Sequence, residues 1–370
     1  MDDPRLYPYV LVPRTAAAIW GGSALVTRYG KPGSAAERLG ESWECWDENR
    51  VADGAMAGLR VADLRALLGN ALMGALDASR LFPILTKIID AQESLSVQVH
   101  PDDDYARRVE GQPNGKAECW YVLEAEPGAA LFLGWTRDTD RSEYERRVAD
   151  GSLGELLRRV PVEAGQAFYL PAGTLHAIGR GIVLFETQQA SDLTYRIFDW
   201  NRVGADGKPR ELHVEKAGDV LDFRAARFAQ MAPLSYELDG VARAALISDP
   251  RFWVERAEVG ASGGEISLEG MPLAAMALGE PVVLAWGIGE RLELAPFTTA
   301  LVPGALRTLR VRASGAAPAG LLLAAPPADD QALHRRLASA GVSAERSKAF
   351  LAQFAAARGA RGATVKPLGR

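Results

Sequence analysis

The spacing of apolar positions changes period several times along the chain, and each change predicts a different element. Between Val61 and Leu76 apolar residues fall at 61, 64, 67, 68, 71, 72, 75 and 76, which predicts a helix ended by Asp77 and Pro83. After Leu81 the period shortens to two. Phe82 to Asp90 is β-branched and short, and Leu95-Ser96-Val97-Gln98-Val99-His100 alternates, so both predict strands. In the second strand Leu95, Val97 and Val99 line one face, and Ser96, Gln98 and His100 the other. The acidic run after Pro101 suits a short helix over 103–110. Lys116 to Leu123 predicts a strand with Lys116, Glu118 and Trp120 on one face, and Ala130 to Leu133 predicts another. Arg141–Ala149 and Leu153–Arg159 predict two surface helices divided by Gly151. Ala167 to Leu170 predicts a strand that turns through Pro171-Ala172-Gly173 and carries His176 onto the next. Gly181 to Gln188 and Ser191 to Trp200 predict two more strands, followed by a polar loop to Lys216.

Residues 217–230 show no clear pattern. From about 233 to 325 short strands alternate with Gly and Pro, Asp329 to about Ala357 is helical, and Arg358 to Arg370 is expected to fray. Trp20-Gly21-Gly22 and Glu41 to Trp46 also predict short strands near the start. The expectation is a mainly β protein with few helices, divided as 1–230, 231–328 and a helical tail at 329–370.

Composition narrows the function classes. At 370 residues the chain exceeds one typical domain, and 48% hydrophobic residues allow a sizeable core. A net charge of −5 argues against general affinity for nucleic acid or an anionic membrane. Met1-Asp2-Asp3-Pro4 has neither the basic nor the apolar region of a signal peptide, and no apolar run approaches membrane-spanning length. Cys45 and Cys119 make no disulfide framework, and Cys119 reads as a packed small hydrophobe. The expectation is a reduced, cytoplasmic protein, monomer or homodimer, that acts on a small molecule.

Gln98, His100, Glu118 and His176 fall on neighbouring strand faces. Two imidazoles, a carboxylate and an amide suit Zn²⁺, and also Fe²⁺, Mn²⁺ or Co²⁺. The lack of cysteine ligands points to a catalytic site with an open position. The run Gly165-x5-Pro171-x-Gly173-x2-His176 resembles the second motif of the cupin superfamily, with Arg180 where the terminal Asn would stand. Gln98-x-His100 with Glu118 resembles the first, with Gln in place of one His. The resemblance implies two cupin-like jelly-roll barrels, the first metal-binding. In the second, Leu294 to Gly304 has the same strand–turn–strand design, but Ala305, Leu306 or Arg307 stands where a ligand belongs, so it is expected to be degenerate and metal-free.

Four longer runs carry a closer resemblance: Ser96-Val-Gln-Val-His-Pro-Asp-Asp, Gly115-Lys-Ala-Glu-Cys-Trp-Tyr, Pro171-Ala-Gly-Thr-Leu-His-Ala-Ile-Gly and Gln188-Gln-Ala-Ser-Asp-Leu-Thr-Tyr-Arg. With Trp20-Gly-Gly, Gly40-Glu-Ser-Trp and Arg210-Glu-Leu-His, they resemble the type I mannose-6-phosphate isomerase family, short bacterial branch, over about residues 7–220 and more weakly to about 325. The resemblance implies a zinc-dependent aldose–ketose isomerase interconverting mannose 6-phosphate and fructose 6-phosphate. It places one zinc on His100, Glu118 and His176 with Gln98, a catalytic arginine at Arg196 and a site lysine at Lys116. Moving a proton between C2 and C1 through a cis-enediol also needs a base. Glu186, at the end of an apolar strand ten residues before Arg196, is the candidate, ahead of His213. An isomerase of another aldose, a metal-bearing cupin that binds sugar without turnover, and a dioxygenase are the competing readings. Lys116, Glu186 and Arg196 beside the ligands favour an enzyme over a pure binder, and the Gln in the ligand set and the sugar-isomerase context disfavour a dioxygenase.

Overall fold

The computed structural model describes residues 5–203, 207–225 and 230–358, which divide between two compact units. One takes Thr15–Ser42 and Ile88–Met231; the other takes Met1–Arg14, Trp43–Lys87 and Ala232–Arg370. The strands of the first are β1 (Arg14–Gly22), β2 (Leu39–Cys45), β3 (Ile84–Ala91), β4 (Val97–Val99), β5 (Glu118–Ala125), β6 (Ala130–Trp135), β7 (Leu157–Pro161), β8 (Ala167–Leu170), β9 (His176–Ile178), β10 (Ile182–Gln189) and β11 (Tyr195–Phe198). Three of these, β1, β2 and β3, run past the bounds of the unit. They form a six-stranded sheet ordered β8-β5-β10-β3-β2-β1 and a five-stranded sheet ordered β11-β4-β9-β6-β7.

Alternation explains why two sheets pack. Trp120, Val122, Phe168, Leu170, Ile182 and Leu184 from the first sheet meet Leu131, Leu133 and Ile178 from the second in one buried cluster. The opposite face of the five-stranded sheet offers Val97, Val99, Ala177, Tyr195 and Ile197. It buries them with Tyr144 of the helix Arg141–Ala149 and with Ala217 and Val220 of the helix Val214–Val220. One face of that sheet therefore looks into the sandwich and the other into a helical cover.

Three sequence expectations are corrected here. The helix expected over 61–76 is two, Val61–Leu68 and Asn70–Met73, because Gly69 between them takes a positive φ of 51° that no helix continues through. Of the helix expected at 153–159 only a short 3₁₀ turn, Leu153–Leu156, forms. Residues 157–161 are instead β7, whose backbone pairs with β6 (Leu131 opposite Val160). The polar loop expected to reach Lys216 gives way to helix at Val214. The expected tail beyond Arg358 lies outside the described residues.

The other unit has an eight-stranded sheet in the order Leu234–Leu238, Val241–Ser248, Trp253–Val259, Ala319–Ala325, Leu273–Leu278, Thr299–Val302, Tyr9–Val12, Arg50–Val51. A four-stranded sheet follows the order Gly264–Ser267, Thr308–Ala313, Val282–Trp286, Glu290–Leu294. Val241, Ala257, Leu284, Leu309 and Leu321 belong to the core of this unit. The expected strand–turn–strand is Thr299–Val302, a 3₁₀ turn at Gly304–Leu306 and Thr308–Ala313. The helical tail is a pair, Ala332–Ser339 and Ala344–Arg358, the first docked by buried Arg336 on Glu255 and over the Trp253 ring. Among the described residues no helix is long and apolar enough to cross a membrane.

Candidate metal centre

Two sheet registers deliver the polar side chains. In the five-stranded sheet His176 of β9 lies opposite both Leu133 of β6 and Gln98 of β4, and Arg196 of β11 lies opposite Gln98 from the other side. Directly opposed residues share a face, so Arg196, Gln98 and His176 form one row. In the six-stranded sheet Glu118 of β5 stands between Leu170 and Gln188, and Trp120 stands between Phe168 and Glu186. Leu133, Leu170, Phe168 and Trp120 are core residues of the sandwich. Their polar row-mates therefore stand on the inner walls.

Local backbone completes the aim. Gly173 has a φ of 84°, closed to most side chains, and its N–H donates to the His100 carbonyl at 2.9 Å. The corner that launches His176 is thus strapped to the backbone of a second candidate ligand. Nδ1 of His176 donates to Thr174 O at 2.9 Å, and Nδ1 of His100 donates to Leu193 O at 2.8 Å. A carbonyl only accepts, so both protons sit on Nδ1 and both Nε2 atoms carry lone pairs, that of His100 without a hydrogen bond and that of His176 facing the Gln98 amide. These point together: His100 Nε2 is 3.2 Å from Glu118 Oε1, His176 Nε2 is 3.6 Å from Glu118 Oε2, and one ligand atom from each residue falls within 4.8 Å of the others. Gln98 Nε2 lies 3.2 Å from His176 Nε2, and turning over the amide brings its oxygen to the same place. Lys116 Nζ sits 2.9 Å from Glu118 Oε1.

The charge states suit a cation. Burial pulls the His176 pKa down to about 3, with neighbouring His100 adding to the effect. Burial and then Lys116 also pull His100 below its ordinary value. For Glu118 burial acts upward, but Lys116, His100 and His176 overcome it and hold the carboxyl well below the usual range. The cluster therefore presents two neutral imidazoles and a carboxylate, the protonation that divalent metals require. His100 Nε2 and Glu118 Oε2 are buried without a hydrogen bond, a cost of about 1–3 kcal/mol per group that a bound cation would relieve. The donor set fits a borderline ion such as Zn²⁺.

The structure gathers Gln98, His100, Lys116, Glu118 and His176 at one point. It sets Glu186 one row further along the inner wall, where its Oε2 accepts from Trp120 Nε1 at 2.9 Å. Arg196 belongs to the His176 row, and its Nη1 donates to Glu211 O at 2.9 Å. Three contributors escape a reading of polar residues alone. Trp120 touches both sides, its ring edge-on to His176 at 5.4 Å and its N–H on Glu186. The strand alternation that groups it with Glu118 is the signal for it. The carbonyls of Thr174 and Leu193 carry no sequence signal, because every residue has one.

A two-sheet barrel with a His–Glu–His cluster on its inner wall defines the cupin class. Comparison with known proteins carries this further. The family model described as phosphomannose isomerase type I, catalytic domain, matches residues 10–129. Mannose-6-phosphate isomerase of Streptococcus mutans is 38% identical over 263 residues, spanning 69% of this chain and 80% of that protein. The solved structure of mannose 6-phosphate isomerase from Bacillus subtilis superposes with a TM-score of 0.77 at 28% identity, covering 86% of this chain and 99% of that one. A zinc-bound mannose 6-phosphate isomerase structure shares the fold at a TM-score of 0.69 and 17% identity, over 86% of this chain and 99% of that one. The chain belongs to the type I phosphomannose isomerase family.

Proposed function

We propose that this protein is an aldose–ketose isomerase that interconverts mannose 6-phosphate and fructose 6-phosphate, with one Zn²⁺ held by His100, Glu118, His176 and Gln98. The observation that carries the metal site is the pair of Nε2 lone pairs, fixed by Nδ1 donation to backbone carbonyls and converging on a buried carboxylate. The activity of the 38% identical Streptococcus mutans relative and the zinc in the more distant structure support the substrate and the ion.

When bound, the ion supplies a Lewis acid beside the sugar oxygens. The chain's own groups supply the rest. Glu186 removes the C2 proton of the open aldose and returns it to C1, while O2 gives up a proton and O1 gains one, so the cis-enediol becomes the ketose. Trp120 keeps one carboxylate oxygen of Glu186 occupied, which fixes the orientation of the group. Arg196 stays protonated and offers two parallel N–H donors to the oxygens on which charge develops. Lys116 puts a second cation against the ligand carboxylate.

Two assays separate the parts of the proposal. Elemental analysis of the purified protein should find about one equivalent of zinc, lost from His176→Ala. Glu186→Gln should abolish turnover with the metal content intact; near-normal turnover would remove Glu186 from the base role.

A further inference from the structure

The His213 side chain does no local work for the helix it begins. It holds the N-cap position of Val214–Val220, yet its side chain makes no capping hydrogen bond. The ring turns back to β11, where the Arg196 N–H donates to His213 Nδ1 at 3.1 Å. A backbone N–H only donates, so this contact needs the neutral imidazole with its proton on Nε2. Two further bonds join the same pair of segments: His213 N–H donates to Arg196 O at 2.7 Å, and Arg196 Nη1 donates to Glu211 O at 2.9 Å.

The sheet order explains why such a clamp is needed. β11 is an edge strand, with β4 on one side only. The backbone N–H and C=O of Arg196 both bond to His213. Without a partner they would be a bare sheet edge, free to let the residue shift. The clamping segment is pinned at its other end as well: Arg210 grips buried Asp199 through Nε (2.7 Å) and Nη2 (2.5 Å), and Arg202 shares the same carboxylate at 2.5 Å. Residues 210–213 are thus fixed at Arg196 of β11 and again at Asp199, just past the end of that strand. The Arg196 guanidinium is half-buried, and its Nε is buried without a hydrogen bond. Its aim accordingly depends on the backbone that carries it.

We infer that His213 is a positioning residue for Arg196: its Nδ1 and backbone N–H lock the edge of β11 and so aim the guanidinium along the Gln98–His176 row. The inference rests on the isomerase reading for its kinetic consequence, but not for its structural one. An acceptor at the Nδ1 position is what matters. Asparagine places Oδ1 there, whereas glutamine places its oxygen one bond too far and alanine has none.

The test compares wild type, His213→Asn, His213→Gln and His213→Ala as metal-replete full chains, by steady-state kinetics on mannose 6-phosphate and by amide hydrogen exchange at Arg196. The expected result is a loss of about tenfold to a hundredfold in kcat for Ala and Gln, with KM and zinc content little changed, and near-wild-type kcat for Asn. Arg196 N–H protection should fall in Ala and Gln and persist in Asn. In an Arg196→Ala background, His213→Ala should cost nothing more. Kinetics of Asn as poor as those of Ala, or an undiminished His213 effect without Arg196, would overturn the inference. If the Ala variant melts below assay temperature, Asn against Gln decides in the same way. An inactive wild type would sink the isomerase reading alone, because the exchange comparison still tests the clamp; equal Arg196 protection in all four proteins would sink the clamp.

Discussion

The ion pair between Lys116 and Glu118 is the feature whose energetics can be worked most directly. Both side chains are buried, at 5% and 1% exposure, and Nζ lies 2.9 Å from Oε1. Unit charges at that distance attract by about 6 kcal/mol at an effective dielectric constant of about 20. Desolvating both ions takes back much of this, but removing one partner leaves a lone buried charge, at a cost of about 3–5 kcal/mol. In metal-free protein, Lys116→Met and Glu118→Gln should each lower unfolding free energy by roughly that amount. The double variant should lose less than the sum, with a coupling of about 2–3 kcal/mol. Urea denaturation of chelator-treated protein, followed through tryptophan fluorescence, measures all four corners of the cycle. Additivity within about 0.5 kcal/mol would show that the two charges do not sense each other.

Other expectations follow from the same geometry. Because burial holds His176 neutral to about pH 3 while the unfolded chain takes up a proton near 6.5, the unfolded state binds more protons between these values. Metal-free protein should therefore be fully stable above about pH 6.5 and lose about 1.4 kcal/mol per pH unit through this group as pH falls toward 3; in His176→Gln, denaturation series across pH 5–7 should show a shallower slope, and an unchanged slope counts against a neutral buried imidazole. Gln98→Ala should weaken zinc binding about tenfold or more while leaving the His–Glu–His set able to load, as read by competition with a chromophoric chelator. Phe168→Ala, in a fully buried position, should destabilise by about 3–5 kcal/mol in thermal or urea unfolding without altering zinc stoichiometry.

The site was more legible than the fold around it. Alternation placed Gln98 and His100 on one face, and Glu118 and Trp120 on another, because a strand's two-residue period is a local property. Pro171 and Gly173 announced a corner because only certain residues tolerate its backbone angles. Non-local pairing was less readable. Leu157–Pro161 is a strand only because β6 offers it a ladder, and an apolar spacing compatible with a helix could not reveal that. Likewise Gly69 looks like any tolerated helical glycine until its positive φ splits the helix. His213 fell in an expected polar loop and stood only as a second candidate base, since its bond to Arg196 spans seventeen positions that no period connects. The grouping of Trp43–Lys87 with Ala232–Arg370 likewise depends on contacts distant in sequence.

The most direct test of the central claim is proton NMR of mannose 6-phosphate incubated with the zinc-loaded protein in D₂O, with and without chelator. Fructose 6-phosphate should appear, with some deuterium incorporated at C1 when the transferred proton exchanges with solvent. Conversion should stop when zinc is stripped and resume when it is restored. Folded, zinc-replete protein that leaves mannose 6-phosphate unchanged, or conversion that persists at full rate with the metal removed, would contradict it.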